Sequence, residues 1–281
     1  MIITFKELFE VNEIQVDILR AVCEVCDKLN IKCYMVHGSL LGSIRNGKFV
    51  PGDDDIDIAM HRKDYELFLK EAPKYLPEYY FVQNHESDKN YPLNFAKVRD
   101  SRTTYIIDVA RKLDINHGIY IDLFPIDNAI VPGFKSRVSH FINKICSLRI
   151  SSVFVIENDT KSKKLVRFVA KILCPSVKCA INHREKSFKS RKFSGFIQVT
   201  GGKPKESQIP YAWFDGSQDG EFEGVKIDMP KDYDSYLTKI YGDYKNRTLI
   251  ENKENDENNI EVNACCIDIS KPYTEHTSDW K

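Results

Sequence analysis

Apolar residues at Leu8, Val11, Ile14, Ile18, Val22, Val25 and Leu29 recur every three to four positions. That is the spacing of one helix face, and it predicts a helix over 5–29. The run Ile31-Lys-Cys-Tyr-Met-Val-His37 then predicts a strand. Gly38-Ser39 turns it into a short helix, 40–45, and Asn46-Gly47 and Pro51-Gly52 mark a loop. From Asp55 to Met60 acidic and apolar residues alternate, the period of a strand. A helix over 63–72 stops at Pro73, and strands are predicted over 79–83, 94–99, 103–108 and 119–124. Residues 134–192 read as Lys- and Arg-rich helices, 195–229 as strands and loops, and 233–244 as a last helix. The chain beyond about Asn246 is polar and reads as a loosely ordered tail.

These elements divide into a mixed-sheet core over 1–130, a basic helical region over 131–192, a part over 193–250 that completes the same unit, and the tail 251–281. The fold class expected is α+β: a mixed sheet with flanking helices and a basic helical insertion.

Hydrophobic residues make up 42% of the 281 and aromatics 11%, enough to bury a core. The mean hydropathy is −0.40. No apolar run is long enough to predict a membrane span, and the first ten residues lack the features of a signal peptide, so a cytoplasmic location is expected. The 41 basic and 41 acidic residues balance, and no nucleic-acid partner is expected. Their distribution is uneven: between Lys161 and Lys192 eleven Lys or Arg face one acid, Glu185. Within that stretch Lys164–Leu173 has one apolar side and several cations. It suits peripheral contact with an anionic membrane, or a helix packed on the core with a solvated basic face.

Of the eight cysteines, Cys23 and Cys26 form a C-x-x-C inside the first helix and read as buried thiols. Cys174, Cys179 and His183 are zinc-ligand types in a loose C-x4-C-x3-H without a clear fourth partner.

The chemistry concentrates in two stretches, His37–Asn46 and Pro51–Ile58. Asp55 and Asp57, two apart on a predicted strand, place both carboxylates on one face. Two like charges so placed repel unless a cation lies between them, and hard oxygen ligands suit Mg²⁺ or Mn²⁺. A solvated acidic turn is the plain alternative, and the apolar Ile56 and Ile58 argue against it. The backbone N–H groups at the Gly38-Ser39 helix start can hold a phosphate, and Arg45 could reach its charge. Asp122, flanked by apolar residues on a strand, is the candidate third acid, as metal ligand or base. Asp127 follows Pro125 and reads as a turn or cap. Lys97 and Arg99 alternate along one strand and share a face, placed to meet donor phosphates or to form an exposed basic strand face.

Gly38-Ser-Leu-Leu-Gly-Ser-Ile-Arg45, Phe49-Val-Pro51, Asp53-Asp-Asp-Ile-Asp57, Lys97–Thr104, Gly118–Asp127, Tyr233–Leu237 and Tyr241-Gly-Asp-Tyr244 together resemble the LicD family of the nucleotidyltransferase-fold superfamily, with fukutin and fukutin-related protein as relatives. The resemblance spans nearly the whole chain, least in the basic middle. It implies a nucleotidyltransferase-type sheet in which Asp55, Asp57 and Asp122 are the metal-binding catalytic set. It also implies transfer of a phosphocholine-like or polyol phosphate group from a CDP-linked donor. The acceptor would be a cell-surface glycan of capsule, lipopolysaccharide or teichoic acid type, free or lipid-linked. Two departures stand out: Gly52 occupies a position where the family usually has Trp, and the prolines usual after the last Tyr-Gly-Asp-Tyr are absent. Transfer of a nucleoside monophosphate, a D-x-D glycosyltransferase and a non-catalytic scaffold of the same fold remain as alternatives.

Overall fold

The computed structural model describes residues 1–130, 134–155, 160–202, 204–246 and 259–276. In chain order the elements are β1 (Ile2–Thr4), α1 (Phe5–Leu29), β2 (Tyr34–Met35), α2 (His37–Asn46), β3 (Asp57–His61), α3 (Arg62–Glu71), β4 (Tyr80–Gln83), β5 (Ala96–Asp100), β6 (Thr104–Ile107) and β7 (Ile119–Asn128). Three helices follow, α4 (Phe134–Ser151), α5 (Lys161–Leu173) and α6 (Val177–Lys189). Then come β8 (Phe196–Val199), β9 (Ile209–Pro210), β10 (Ser217–Phe222), β11 (Val225–Pro230), α7 (Tyr233–Tyr241), β12 (Asn259–Glu261) and β13 (Ala264–Asp268).

The architecture is α+β. The main sheet runs β10-β11-β2-β3-β7-β5-β4, with β8 and β9 added beside β7. It is mixed: β3 pairs parallel with β7 and β11 with β2, while the other pairs are antiparallel. The strand β7 is longer than its apolar run predicts because it continues through Pro125 to Asn128. The missing N–H does no harm there. Pro125 lies where the neighbour on one edge changes, from β5, which ends opposite Leu123, to β8, which begins opposite Ile126.

Helix α1 has the bounds that periodicity and capping dictate. Thr4 and Glu7 form a reciprocal capping box, and Asn30 closes the other end in the left-handed region, with φ 52°. Its buried face carries Leu8, Val11, Ile18, Leu19, Val22 and Val25 and packs on β5, β7 and β11. Cys26 and Cys33 are buried thiols.

The basic region forms a helical layer of its own. Cys146 and Ile150 of α4 and Ala180 and Ile181 of α6 make its small core. It is tied to α3 by Arg62–Glu185 at 3.2 Å and Glu66–Lys189 at 2.8 Å.

The expected loose tail is corrected in part. Residues 251–258 and 277–281 lie outside the described residues, but β12 pairs antiparallel with β1, and β13 with β6. Ile260, Val262 and Ala264 join Ile3, Leu8, Val11, Tyr105, Ile119 and Tyr120 in a second buried cluster. The apolar residues are sparse in this segment, and their partners lie at least 140 positions away.

Candidate active site

The parallel pair of β3 and β7 sets the centre. Its register places Asp57 opposite Asp122, so both carboxylates emerge from neighbouring strands at one level. Asp55 is not on the ladder, contrary to the strand expected from Asp55 onward. It lies in the extended segment just before β3, which is joined to β7 where the Asp122 N–H donates to the Ile56 carbonyl at 2.8 Å. One carboxylate oxygen from each of Asp55, Asp57 and Asp122 lies within 4.8 Å of the others.

The loop that carries Asp55 is held from behind. Gln15 of α1 donates to the carbonyls of Asp54 at 2.9 Å and Tyr120 at 3.2 Å. The Tyr105 hydroxyl donates to the Asp54 carboxylate at 2.7 Å, which turns that acid to the rear of the loop. Gly52, with φ 82°, adopts a backbone conformation that suits glycine. A Cβ there would lie 2.8 Å from Cδ1 of Ile260, so the C-terminal strand fills the space beside it.

Gly38 and Ser39 face the acid loop. The Ser39 hydroxyl, fully buried, accepts the Asp57 N–H at 2.9 Å. A Cβ on Gly38 would lie 2.4 Å from Oδ2 of Asp53. Arg45 sits in the last turn of α2, roughly 10 Å along the axis from Gly38 at 1.5 Å per residue, and donates to the Tyr244 carbonyl. It joins the C-terminal part of the chain to the helix.

Lys97 and Arg99 share a face of β5, but that face is buried and not exposed. Lys97 lies opposite Asp122 in the ladder and its ammonium donates to that carboxylate, with the Tyr120 ring 3.4 Å away. Arg99 is 1% exposed and donates to Gln83 Oε1 at 2.5 Å and to the Gly118 carbonyl at 2.6 Å. It supports the strands, and its guanidinium is not free to meet a donor. Alternation in β5 shows which residues share a face; it cannot show that the neighbouring loops cover that face.

Asp127 is corrected as well. It lies in β7 rather than in a turn, gripped by Arg62 at 2.7 and 2.5 Å and by the Thr200 hydroxyl at 2.5 Å.

One member of the site is additional to the sequence expectations. His37 Nδ1 donates to Asp57 Oδ2 at 3.0 Å and Nε2 to Glu206 Oε1 at 2.7 Å. Glu206, itself fully buried, also accepts from the Tyr236 hydroxyl at 2.5 Å. His37 opens α2 with φ 52°. A non-glycine residue held there costs on the order of 1–3 kcal/mol, offset by its two charged partners. The signal available in the sequence is a histidine next to the Gly-Ser turn. Its partner Glu206 is 169 positions away, so no local pattern connects them.

The electrostatics follow from this crowding. Burial, then the charges of Asp57, Asp53, Asp122 and Asp54, hold the Asp55 carboxyl well above its usual range. Burial also raises Asp122, with Lys97 pulling against it and Asp57 adding to it. Burial depresses the Lys97 ammonium, against the pull of Asp122. Burial would lower His37 too, but Asp57 and Glu206 outweigh it and hold the imidazolium up to about 10.

The three-carboxylate cluster fits a hard divalent cation. Mg²⁺ is bound at 2.0–2.1 Å by oxygen ligands, and the spacing of Asp55, Asp57 and Asp122 allows one oxygen from each. Cys174, Cys179 and His183 do not gather in this way; Cys174 sits beside Cys146 instead.

Comparison with known proteins agrees with this geometry. The family described as LicD/FKTN/FKRP, nucleotidyltransferase domain, matches residues 30–141, which hold all three carboxylates. The lipopolysaccharide cholinephosphotransferase LicD of Haemophilus influenzae is 26% identical over 224 residues, covering 78% of this chain and 84% of that protein. The blocks around Gly38, Asp55–Asp57 and Asp122 and these matches point the same way: residues 30–141 resemble the nucleotidyltransferase domain of the LicD family.

Proposed function

We propose that this protein transfers a phosphorylated alcohol, phosphocholine or a polyol phosphate, from a CDP-linked donor to a hydroxyl of a cell-surface glycan. The observation that carries the reading is the register of Asp57 opposite Asp122, with Asp55 within 4.8 Å. The likeness to a lipopolysaccharide cholinephosphotransferase supports the reaction class.

Asp55, Asp57 and Asp122 would hold Mg²⁺ or Mn²⁺, which when bound supplies charge neutralisation at the donor diphosphate. The acceptor hydroxyl oxygen forms a bond to the phosphorus that bears the alcohol. The bond from that phosphorus to the bridging oxygen breaks, CMP leaves with the bridging oxygen, and the hydroxyl proton passes to a carboxylate of the cluster. Ser39 and His37 keep Asp57 in place, Lys97 keeps Asp122 in place, and Gln15 and Tyr105 fix the loop that carries Asp55.

The reading includes a position at the inner face of a membrane. Among the described residues no helix is long and apolar enough to cross one. In α5, however, Leu165, Phe168, Ile172 and Leu173 are each 60–63% exposed, while Ala170 is buried against the protein. The apolar stripe therefore faces outward, flanked by Lys164 and Lys171, as in a helix that lies in a lipid interface. A lipid-linked acceptor would be met there.

A screen of CDP-linked donors with Mg²⁺ and Mn²⁺ tests the reaction. CMP release that requires metal and is abolished in a folded Asp57→Asn variant is expected. Release of pyrophosphate from a nucleoside triphosphate instead would favour nucleotidyl transfer, and normal turnover by Asp57→Asn would remove the cluster from the chemistry.

A further inference from the structure

A cavity of about 700 Å³ opens between α4, α6 and the Gly201-Gly202 turn after β8. Its described lining contains Arg137, His140, Lys144, Arg184 and Arg191 and no acid. The first three lie three and four residues apart, which puts them on one face of α4. Basic side chains brought together without acids repel one another, an arrangement that an anion relieves.

Two buried atoms of the lining lack partners. Asn143 is 8% exposed; its amide donates to Ser187 at 2.7 Å, yet its Oδ1 meets no donor among the described residues. Arg184 Nε is buried and meets no acceptor among them. An unpaired buried donor or acceptor is unfavourable until something meets it. Arg184 offers an N–H to an anionic oxygen, whereas Asn143 Oδ1 asks for a donor such as a sugar hydroxyl. The burial of Arg191 brings its guanidinium down to about 10, with Arg184 and Arg62 adding to the effect against Asp127.

The cavity adjoins the active site. Gly202 lines it, and a Cβ there would lie 2.2 Å from Glu206 Oε2 and 3.2 Å from His37 Nε2.

We propose that this cavity is the acceptor subsite and that it takes a sugar bearing a phosphate group. The assignment rests on the transfer reaction proposed above: the donor diphosphate belongs at the acids, and the basic cavity beside them is left for the second substrate. The phosphate has two sources, a phosphorylated glycan or the anomeric phosphate of a lipid carrier.

Calorimetry on the full chain, with Mn²⁺ present, separates them. The probes are glucose 6-phosphate for the first source, glucose 1-phosphate for the second, and glucose as the neutral control. One of the phosphates is expected to bind at least tenfold more tightly than glucose, and the tighter isomer identifies the source. Its Kd should rise at least tenfold in Arg184→Gln and about threefold in Lys144→Gln, whose exposed side chain can be changed without loss of packing. If Arg184→Gln does not fold, Lys144→Gln decides. Equal binding of glucose and both phosphates, affinity unchanged by the folded variants, or competitive displacement by CDP-choline would each overturn the assignment. CMP release from CDP-choline by the wild-type protein is followed separately. Its absence alongside tight sugar-phosphate binding would count against the transfer reaction and leave the anion site standing.

Discussion

Replacing Lys97 by Met tests the electrostatic account of the site. Methionine keeps an unbranched stem among Phe95 and Tyr120 and removes the ammonium that pairs with Asp122. Lys97 is 3% exposed and Asp122 7%, so water cannot replace the lost partner. Removing one member of a buried pair costs about 3–5 kcal/mol. At roughly 2–4 °C per kcal/mol for a protein of about this size, the melting temperature in EDTA should fall by about 6–20 °C. A cavity effect would do no more than that. The electrostatic account makes a second demand: a divalent ion at the three acids no longer faces a neighbouring cation. A +1/+2 pair about 5 Å apart at an effective dielectric near 20 repels by ~7 kcal/mol as an upper bound. A tenfold gain in Mn²⁺ affinity, ~1.4 kcal/mol, is thus a modest threshold. Thermal melts with and without Mn²⁺, and titration of the metal, give both quantities. A melting temperature within about 2 °C of wild type in EDTA, together with unchanged Mn²⁺ affinity, would refute the reasoning.

Three further outcomes are expected. Gly42→Ala should lower stability by about 1–3 kcal/mol, because its Cβ would lie 2.2 Å from the Lys48 carbonyl oxygen. Gly38→Ala, on the same helix, should leave the melting temperature within a few degrees while impairing CMP release, because the movable Asp53 side chain takes up that clash; equal melting temperatures for the two would be inconsistent with these contacts. His117 is buried and its pKa is lowered to about 4, so the unfolded chain binds more protons between about 4 and 6.5. Its contribution is complete above pH 6.5 and lost as pH falls to 4, about 3 kcal/mol in all; urea melts of His117→Gln should show a flatter profile across that window. Wild-type protein should float with anionic vesicles and not with neutral ones, at about 1 kcal/mol per engaged Lys or Arg, and the double change Leu165→Asp and Ile172→Asp should abolish flotation; sedimentation of the wild type with both vesicle types would remove α5 from the membrane.

What the sequence made legible was what short-range physics decides. Helix α1 was readable because its apolar period runs from Leu8 to Leu29, and the Thr4–Glu7 box starts it where that period implies. Asp57 and Asp122 stood out as acids among strand residues, and the ladder pairs them. Asp55 was placed on the strand because alternation continues past the point where pairing stops. The limits were those of tertiary context. Arg99 and Asp127 read as candidates for contact or capping, whereas Gln83 and Gly118 engage the first and Arg62 and Thr200 the second, all from elsewhere in the chain. The His37–Glu206 contact and the pairing of residues 259–268 likewise span distances along the chain that no local pattern encodes.

The pairing of β12 and β13 also sets a timetable. Asp122 is synthesised 146 residues before Asp268, the end of β13. At roughly 5–20 residues per second, the carboxylates of the cluster exist for about 7–30 s before the segment behind them has been made. During that interval Ile260 is not yet beside Gly52, and the cluster that includes Tyr105 lacks its C-terminal members. The loop that carries the acids thus gains its full backing only once residues 259–268 have been made.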